Sequence, residues 1–453
     1  MSGEKTFYQN VISIAIPVTL QSIIMASLGM IDQLMVGQVG DTAIATVGMS
    51  TKLYAIVAVV LASLATGVSI YTAQFWGKKD TANIARLLGF ALAIGSVFTL
   101  LFSLLVIFFP ERCLQIFTND PKVLEEGSIY PMIIAFSYFP TMLTMIYSAV
   151  ARSTTHVKLP MYVSMATAVL NIGLNYLLIF GKMGFPEYGL KGAAIATVAA
   201  RIFEMVFLIS YMYVRKYPGA VGLHRMMGIQ MPLVKRFLST SIPLFLTELL
   251  WVLGETGYAV VYGRMGTEEM TAMTISFPLQ GLSIGLLTGL ASAAGVMVGN
   301  KLGADQMDEA MDYAHKFIRL GIVSTIVLGG LIAASSSLYV SAYNVTEDVS
   351  RVSIWIILMF SLFFWVKVSN MIIAGGILNS GGDSKFVFVM ESLATWVVGV
   401  PSAFIAAFVL DLPIYWVYFI LSMEEVVRLM VGFGRIRSRK WVRNLVHDVS
   451  AQA

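Results

Sequence analysis

The chain has 453 residues, of which 57% are hydrophobic and only 12% are charged, whereas roughly a quarter of an ordinary soluble domain is charged. This composition excludes a soluble protein. Apolar runs recur from residue 11 to residue 432, which leaves no room for an extramembrane catalytic domain. The lone Cys113 excludes a disulfide framework or a thiolate metal site. The four histidines and the one cysteine form no cluster with zinc-like spacing, so no metal site is expected. The absence of a Walker-type loop argues against direct ATP hydrolysis, and an ion gradient is therefore the expected energy source.

The apolar runs predict an all-α integral membrane protein. A spanning helix needs about 20 apolar residues, and the runs and their polar breaks predict twelve spans. These lie within residues 10–37, 44–75, 83–109, 127–151, 159–181, 189–214, 236–263, 270–300, 310–341, 350–379, 386–410 and 413–434. The first run is longer than the apolar core of a signal peptide, so we interpret it as an uncleaved span.

The distribution of Lys and Arg predicts the orientation, because cytoplasmic loops retain positive charge. With the N-terminus inside, 20 of the 30 basic residues fall on the inner side, 7 on the outer side and 3 within spans. We therefore expect a multi-pass protein of the plasma (inner) membrane with both termini in the cytoplasm. The basic tail Arg435–Arg443 is interpreted as a stop at the anionic leaflet. Membrane lipids are the expected partners, and nucleic acid is not.

The chain contains an internal repeat of six spans. At one constant offset, Ile16-Pro17 aligns with Ile242-Pro243, Gly40 with Gly266, and Gly77 with Gly303. An even number of spans per repeat makes the two units parallel, related by a pseudo-two-fold axis along the membrane normal. The predicted domains are an N-lobe (1–214), a cytoplasmic linker (215–235), a C-lobe (236–434) and a basic tail (435–453). Two such bundles around a cleft are typical of alternating-access carriers.

Asp32 is the main candidate for ion coupling in the N-lobe. It lies 15 residues after the hinge candidate Pro17, about 22 Å along the helix, and its span carries no cation to neutralise it. Asn171 and Asn175 are four residues apart and share one helix face, where their amides can hydrogen-bond Asp32 or bind sodium. The alternative readings are an interfacial acid and asparagines that only bind neighbouring helices together.

A second polar site is predicted in the C-lobe. Glu248 and Lys367 lie at similar depth and are expected to form an ion pair, while Glu255 is a second candidate for ion coupling or for binding a cationic substrate. Tyr258 occupies the place of Asp32 in the repeat. Two further pairs, Arg201 with Glu204 and Glu425 with Arg428, are interpreted as structural because they are three residues apart. This assignment leaves four unpaired acids: Asp32, Glu255, Glu391 and Glu424.

Flexible and aromatic side chains on spans one and seven suit a pocket that accepts many shapes. The candidates for a substrate cavity are Met25, Phe245 and Trp251. The spans carry seven acidic and three basic residues, and this imbalance favours cationic organic cargo.

Several stretches together resemble the multidrug and toxic compound extrusion (MATE) transporters. They are Met30–Ser50, Leu170–Thr197, Gly376–Phe386 and Arg437–Leu445. The resemblance implies a twelve-helix antiporter that exchanges protons or sodium ions for organic, often cationic, compounds. It also implies that Pro17 and Asp32 are the kinking proline and first-helix acid, with Asn171 and Thr197 as polar partners. Asn175 stands where some members have a second acid, and Trp251 where another branch has its seventh-helix acid.

The leading hypothesis is a cation-coupled exporter, with H⁺ or Na⁺ as coupling ion, no other cofactor, no enzymatic activity and a monomeric state. A lipid-linked oligosaccharide flippase on the same scaffold is the alternative, and a basic central cavity would favour it. An intramembrane enzyme is a third reading, but it needs paired acids or Ser and His deep in spans. The four histidines lie at helix ends or in loops.

Overall fold

The computed structural model describes residues 2–118 and 120–447, which are helical almost throughout and contain no strand. We number the spanning helices in chain order. They are α1 (Ser2–Gly37), α2 (Asp41–Gly77), α3 (Thr81–Phe108), α4 (Tyr138–Ser153), α5 (Lys158–Phe180), α6 (Gly189–Val214), α7 (Met231–Met265), α8 (Thr267–Gly303), α9 (Met307–Val340), α10 (Glu347–Asn370), α11 (Ser384–Leu393) and α12 (Ile414–Arg437).

Three spans are interrupted by irregular helix. The short helices Pro110–Gln115, Pro121–Gly127 and Ile129–Ile134 and a 3₁₀ turn precede α4. The π-helical turn Met371–Leu378 extends α10, and α11 continues through a second π-helical turn, Ala394–Gly399, into the helix Val400–Phe408. Both π-helical turns contain glycine, and such turns often mark functional positions in helices.

Eleven helical segments of the described chain are long and apolar enough to cross a membrane. The twelfth predicted span, α12, falls outside this set because its 24 residues include Glu424, Glu425 and Arg428. The predicted all-α, multi-pass membrane architecture is confirmed.

The repeat is visible in the backbone. At the ends of helices on the predicted cytoplasmic face, Lys79, Thr155 and Lys216 have φ angles of 61°, 67° and 54°. The second half has left-handed residues at the corresponding helix ends, Asp305, Gly382 and Arg439, with φ angles of 60°, 73° and 54°. Non-glycine residues seldom adopt this conformation, so its recurrence in the second half reflects two copies of one helix-and-turn pattern.

The chain divides into two compact units, whose limits differ from those of the predicted lobes at the start of α1, at the linker and at the tail. The N-lobe unit is Leu20–Lys235, and the C-lobe unit combines Met1–Thr19 with Arg236–Ala453. The predicted linker therefore belongs to the N-lobe unit, and the first half of α1 belongs to the C-lobe unit although α1 continues as a helix through Pro17.

Packing explains why the first half of α1 lies with the C-lobe unit. Phe7 is buried and forms edge-to-face contacts with Tyr313 and Phe317, with ring centroids 4.9 and 5.2 Å apart. Higher on the helix, the Thr19 hydroxyl donates to the Leu286 carbonyl at 3.2 Å. Gly289 permits this close approach, because a methyl group there would overlap the Ala15 carbonyl. These partners come from α8 and α9, which sequence order does not reveal.

The described part of the basic tail, residues 435–447, packs within the C-lobe unit, and residues 448–453 of the predicted tail lie outside the described residues. Its tryptophan, Trp441, is fully buried, and the Arg435 guanidinium forms a two-pronged ion pair with Asp383. Farther along, Asn444 donates to the Asp305 carboxylate at 2.6 Å. The Leu445 carbonyl accepts a hydrogen bond from Arg236 at 3.1 Å. The tail thus joins the loops after α8 and α10 to the start of α7.

Candidate functional site

The N-lobe unit brings Asp32 together with both predicted asparagines. The Asn175 side-chain amide donates to Asp32 Oδ1 at 2.7 Å and to Asn171 Oδ1 at 3.1 Å. Both asparagines are buried, and Asp32 is half-buried. Because Asn171 and Asn175 are one turn apart on α5, the helix itself sets their side chains on the same face.

The Asn175 side chain donates hydrogen bonds in this arrangement but accepts none from the described residues. Its two N–H groups serve Asp32 and Asn171, whereas its buried carbonyl oxygen accepts no hydrogen bond from the described residues. Asp32 makes no ion pair with any residue that the structure describes. Its direct partner is the Asn175 amide, and the charge of Arg201 acts on it only from beyond ion-pair distance, an arrangement suited to exchanging a proton or binding a cation.

A second series of hydrogen-bonded side chains connects α1 to α5 and α6 within the N-lobe unit, three turns below Asp32. Gln21 donates to the Ser164 hydroxyl at 2.9 Å, and Ser164 donates to Glu204 at 3.4 Å. Glu204 also accepts from Arg201 at 2.8 Å, which confirms the predicted Arg201–Glu204 pair. Sequence reasoning missed Gln21 and Ser164, although a glutamine within a spanning helix is a signal that the sequence offers.

Thr197, assigned to the site by resemblance, lies half-buried on α6. In the described part of the chain it forms no hydrogen bond with Asp32 or the asparagines. Its role stays a prediction.

The C-lobe unit concentrates its charges around Arg428 on α12. Arg428 lies 3.1 Å from a Glu424 oxygen and 3.6 Å from a Glu425 oxygen, so one guanidinium serves two acids. The predicted pairing of Glu425 with Arg428 is confirmed. The prediction that Glu424 is unpaired is wrong, because one turn of α12 also places Glu424 within reach of Arg428.

The predicted ion pair of Glu248 with Lys367 is also wrong. Lys367 Nζ lies 3.6 Å from Glu425 Oε1 instead. Similar depth in the membrane does not fix the direction in which a side chain points around its helix, and α10 packs against α12. Glu248 and Glu255 are exposed on α7, Glu391 is half-buried on α11, and none of the three forms an ion pair with a described residue.

Neutral groups complete the C-lobe network. The Tyr258 hydroxyl donates to Glu424 at 2.5 Å, and the Asn370 amide donates to Glu425 at 2.8 Å. Arg428 also donates to the Thr395 hydroxyl at 2.5 Å. Gly399, in the second π-helical turn, leaves the space that the Tyr258–Glu424 pair fills, since a methyl group there would overlap both side chains.

A small cavity of about 50 Å³ lies beside this network within the C-lobe unit. Its polar lining includes Glu255, Tyr258, Gln280, Lys367, Tyr418 and Glu424. Such a volume holds a water molecule or a bare ion but no organic substrate.

The three predicted cavity residues lie in different units. Met25 is half-buried in the N-lobe unit, while Phe245 is half-buried and Trp251 is exposed in the C-lobe unit. Their part in substrate binding remains a prediction.

The fold and its buried polar groups define a class: helical membrane carriers built from two six-span repeats. Known proteins place the chain within that class. The MatE family profile matches residues 17–177 and 243–405. The two matches begin at Pro17 and Pro243, which the internal repeat aligns with each other. The chain belongs to the MatE family.

Relatives cover nearly the whole chain. The transporter YisQ of Bacillus subtilis is 22% identical over 441 residues, spanning 97% of this chain and 96% of YisQ. The protein described as a probable multidrug resistance protein NorM of Rhizobium meliloti is 26% identical over 414 residues, spanning 88% and 87%. A crystal structure of a mutant of the Vibrio cholerae MATE transporter VcmN shares the fold, with a TM-score of 0.89, 15% identity and coverage of 98% and 100%.

Proposed function

We propose that this protein is a cation-coupled antiporter that exports organic, cationic compounds by alternating access, with H⁺ or Na⁺ as the coupling ion. Membership of the MatE family and relatives named for multidrug resistance support efflux as the general activity. The single observation that carries the coupling assignment is the contact of Asp32 with Asn175, in which a carboxylate without an ion-pair partner in the described chain meets a buried amide.

The amide of Asn175 allows the site to distinguish two states of Asp32. An ionised carboxylate can only accept hydrogen bonds, and the Asn175 N–H donates to Asp32 Oδ1. A protonated carboxyl instead has an O–H to donate, and the carbonyl oxygen of Asn175 is buried without a donor among the described residues. A flip of the amide, which exchanges its N–H₂ and its oxygen, would present this oxygen to the protonated acid. Binding of the coupling cation and rearrangement of the α1–α5 contact are thereby linked.

The proposed cycle uses α1 as the moving element. In the outward-open state Asp32 takes up the cation, α1 bends near Pro17, and the substrate leaves. Inward opening then releases the ion to the cytoplasm. Proline removes a backbone hydrogen bond from a helix and lowers its resistance to bending there.

The remaining acids favour cationic substrates. Glu248, Glu255 and Glu391 of the C-lobe unit form no ion pair within the described chain, whereas the cations Lys367 and Arg428 are engaged by Glu425 and Glu424. Unbalanced carboxylates attract organic cations and repel the phosphates of a lipid-linked sugar. This charge pattern disfavours the flippase alternative on the same scaffold.

The test measures uptake of a fluorescent organic cation into proteoliposomes under an imposed proton or sodium gradient. One of the two gradients is expected to drive uptake. Asp32→Asn is expected to reduce driven uptake at least about tenfold, the effect of losing roughly 1.4 kcal/mol or more of coupling. Wild-type uptake by Asp32→Asn would refute the assignment of Asp32.

The chain offers a matched control in Asp411→Asn. Asp411 is exposed in a loop and has a φ angle of 49°, a conformation that Asn also tolerates. This variant makes the same change of acid to amide away from the site, so its transport should equal that of the wild type.

We also propose a monomer in the plasma membrane with both termini in the cytoplasm. The Lys and Arg asymmetry supports this orientation. Labelling of single cysteines introduced into the tail, in intact cells and in inverted vesicles, tests it.

A further inference from the structure

A basic hollow lies on the predicted cytoplasmic face of the N-lobe unit, where the start of α3 meets the linker. Its volume is about 590 Å³. The basic and apolar side chains that line it include Arg86, His224, Arg225, Ala85, Val221 and Met227. No acidic residue of the described chain is part of the lining.

The charges of this hollow are uncompensated. Neither Arg86 nor Arg225 forms an ion pair with a described residue, and Arg86 donates a hydrogen bond to the neutral Asn83 at 3.2 Å. The nearest acid along the chain, Asp80, accepts two hydrogen bonds from Asn83 and caps α3. Two guanidinium groups therefore keep most of their donors free for a ligand, and guanidinium is the side chain best shaped to bind phosphate.

Exposed apolar side chains flank the hollow. Leu223 begins a short helical turn and Met227 directly follows it; they are 73% and 70% exposed, whereas Met226 between them is buried. The Tyr213 hydroxyl donates to the Val221 carbonyl at 2.9 Å and holds the segment in place. Apolar side chains beside arginines at the end of a spanning helix match the boundary between lipid tails and headgroups.

The equivalent place in the C-lobe unit makes a useful comparison. A hollow of about 580 Å³ there is lined by residues that include His315, Arg437 and Arg439. Arg439, however, lies 3.2 Å from Asp308, which offsets its charge. The hollow of the N-lobe unit is therefore the better anion site of the two.

We propose that the hollow formed by Arg86, His224 and Arg225 binds the headgroup phosphate of an anionic phospholipid, with Leu223 and Met227 among the acyl chains. A lipid accounts for both the basic and the apolar side chains of this surface, because its phosphate can bind the guanidinium groups and its acyl chains can cover the exposed apolar side chains. A soluble phosphate would explain only the first half.

The test is native mass spectrometry of the full-length protein in neutral detergent, titrated with phosphatidylglycerol or phosphatidylcholine. The wild type is expected to bind one phosphatidylglycerol in preference to phosphatidylcholine. Arg86→Gln combined with Arg225→Gln should weaken this binding roughly tenfold or more, since each basic side chain at an anionic surface contributes about a factor of five. Arg225 is exposed and Arg86 is half-buried without an ion pair in the described chain, so the double variant should fold.

The matched control is Lys216→Gln combined with Lys235→Gln, which also removes two positive charges, from linker positions outside the hollow. Its phosphatidylglycerol binding should stay within about threefold of the wild type, less than the loss of one basic contact at the surface. Equal losses in both double variants would show a diffuse charge effect and overturn the site. Equal binding of the two lipids, or displacement of phosphatidylglycerol by glycerol 3-phosphate, would overturn the assignment to an anionic lipid.

Discussion

The two units differ in how their acidic side chains within the spans are neutralised. In the N-lobe unit Asp32 faces the amide of Asn175, whereas in the C-lobe unit Glu424 and Glu425 share Arg428. A buried acid that is fully paired is held in one protonation state and cannot exchange its partner cheaply. An acid held by an amide can. The difference shows that, among the described residues, one scaffold holds an acid without an ion-pair partner in one copy and a network of paired acids in the other.

The contrast is sharpest at equivalent positions of the repeat. Asp32 and Tyr258 occupy the same place on α1 and α7 when the two halves of the chain are aligned. Asp32 accepts a hydrogen bond from its partner, and Tyr258 donates one to Glu424. The same position thus presents an acid in one unit and supports an acid in the other.

The largest expected effect on stability comes from Arg428→Met. This change leaves Glu424 and Glu425 buried beside each other without their shared cation and should cost about 3–5 kcal/mol of stability. The fall in the midpoint of thermal unfolding in detergent measures it. Arg439→Met is the control, because its ion pair with Asp308 is exposed and contributes at most about 1 kcal/mol.

A further variant tests whether unpaired charge or altered packing causes the loss of stability in Arg428→Met. Adding Glu424→Gln and Glu425→Gln to Arg428→Met removes the unpaired acids and should recover part of the stability. If the triple variant is no more stable than Arg428→Met, packing and not charge explains the loss.

The next largest effect is expected for Tyr258→Phe. Glu424 loses its 2.5 Å hydrogen bond, and loss of a hydrogen bond to a charged group costs about 1.5–3 kcal/mol. Thermal unfolding again provides the measurement. Asp32→Asn, at the equivalent position, should change stability by less than about 1 kcal/mol, because an amide can replace the acid as acceptor.

Tyr262→Phe is the control for Tyr258. Tyr262 is buried one turn later on α7 and forms no hydrogen bond with the described residues. A larger loss for Asp32→Asn than for Tyr258→Phe would reverse the comparison and show that the N-lobe acid is structural.

The smallest of the three effects is expected for Gly289→Ala. The added methyl group would overlap the Ala15 carbonyl and the Thr19 hydroxyl, so the first half of α1 must shift, at a cost of about 1–3 kcal/mol. Gly285→Ala on the same helix meets no atom within 4 Å and should leave the melting midpoint unchanged. Equal midpoints for both variants would contradict the packing of α1 on α8.

The sequence predicts the spans well because nearly all of them exceed about 20 mostly apolar residues, a signal that does not depend on tertiary contacts. It also predicts that Asn171 and Asn175 lie on one face, since spacing of four residues fixes that face. The predicted partner of Lys367 is wrong. Whether Glu248 or Glu425 faces Lys367 depends on rotation of α7 and α12 about their axes, and apolar runs on all sides leave that rotation undetermined.

Two further features depend on packing between distant segments. The assignment of Met1–Thr19 to the C-lobe unit rests on a glycine and two aromatic rings in the second half of the chain. The hydrogen bond from Asn370 to Glu425 also depends on packing between distant segments. The sequence shows an amide within an apolar span, but it does not show which residue that amide contacts.

The division of α1 between the units also determines the order of folding. Met1–Thr19 is synthesised first, but its partners Gly289, Tyr313 and Phe317 are synthesised only after the whole N-lobe unit. The first half of the first helix must therefore wait in the bilayer while the N-lobe unit and the first helices of the C-lobe unit are inserted. The C-lobe unit cannot be obtained complete by cutting the chain at the linker, and the packing of Met1–Thr19 on α8 and α9 closes a loop that contains the entire N-lobe unit.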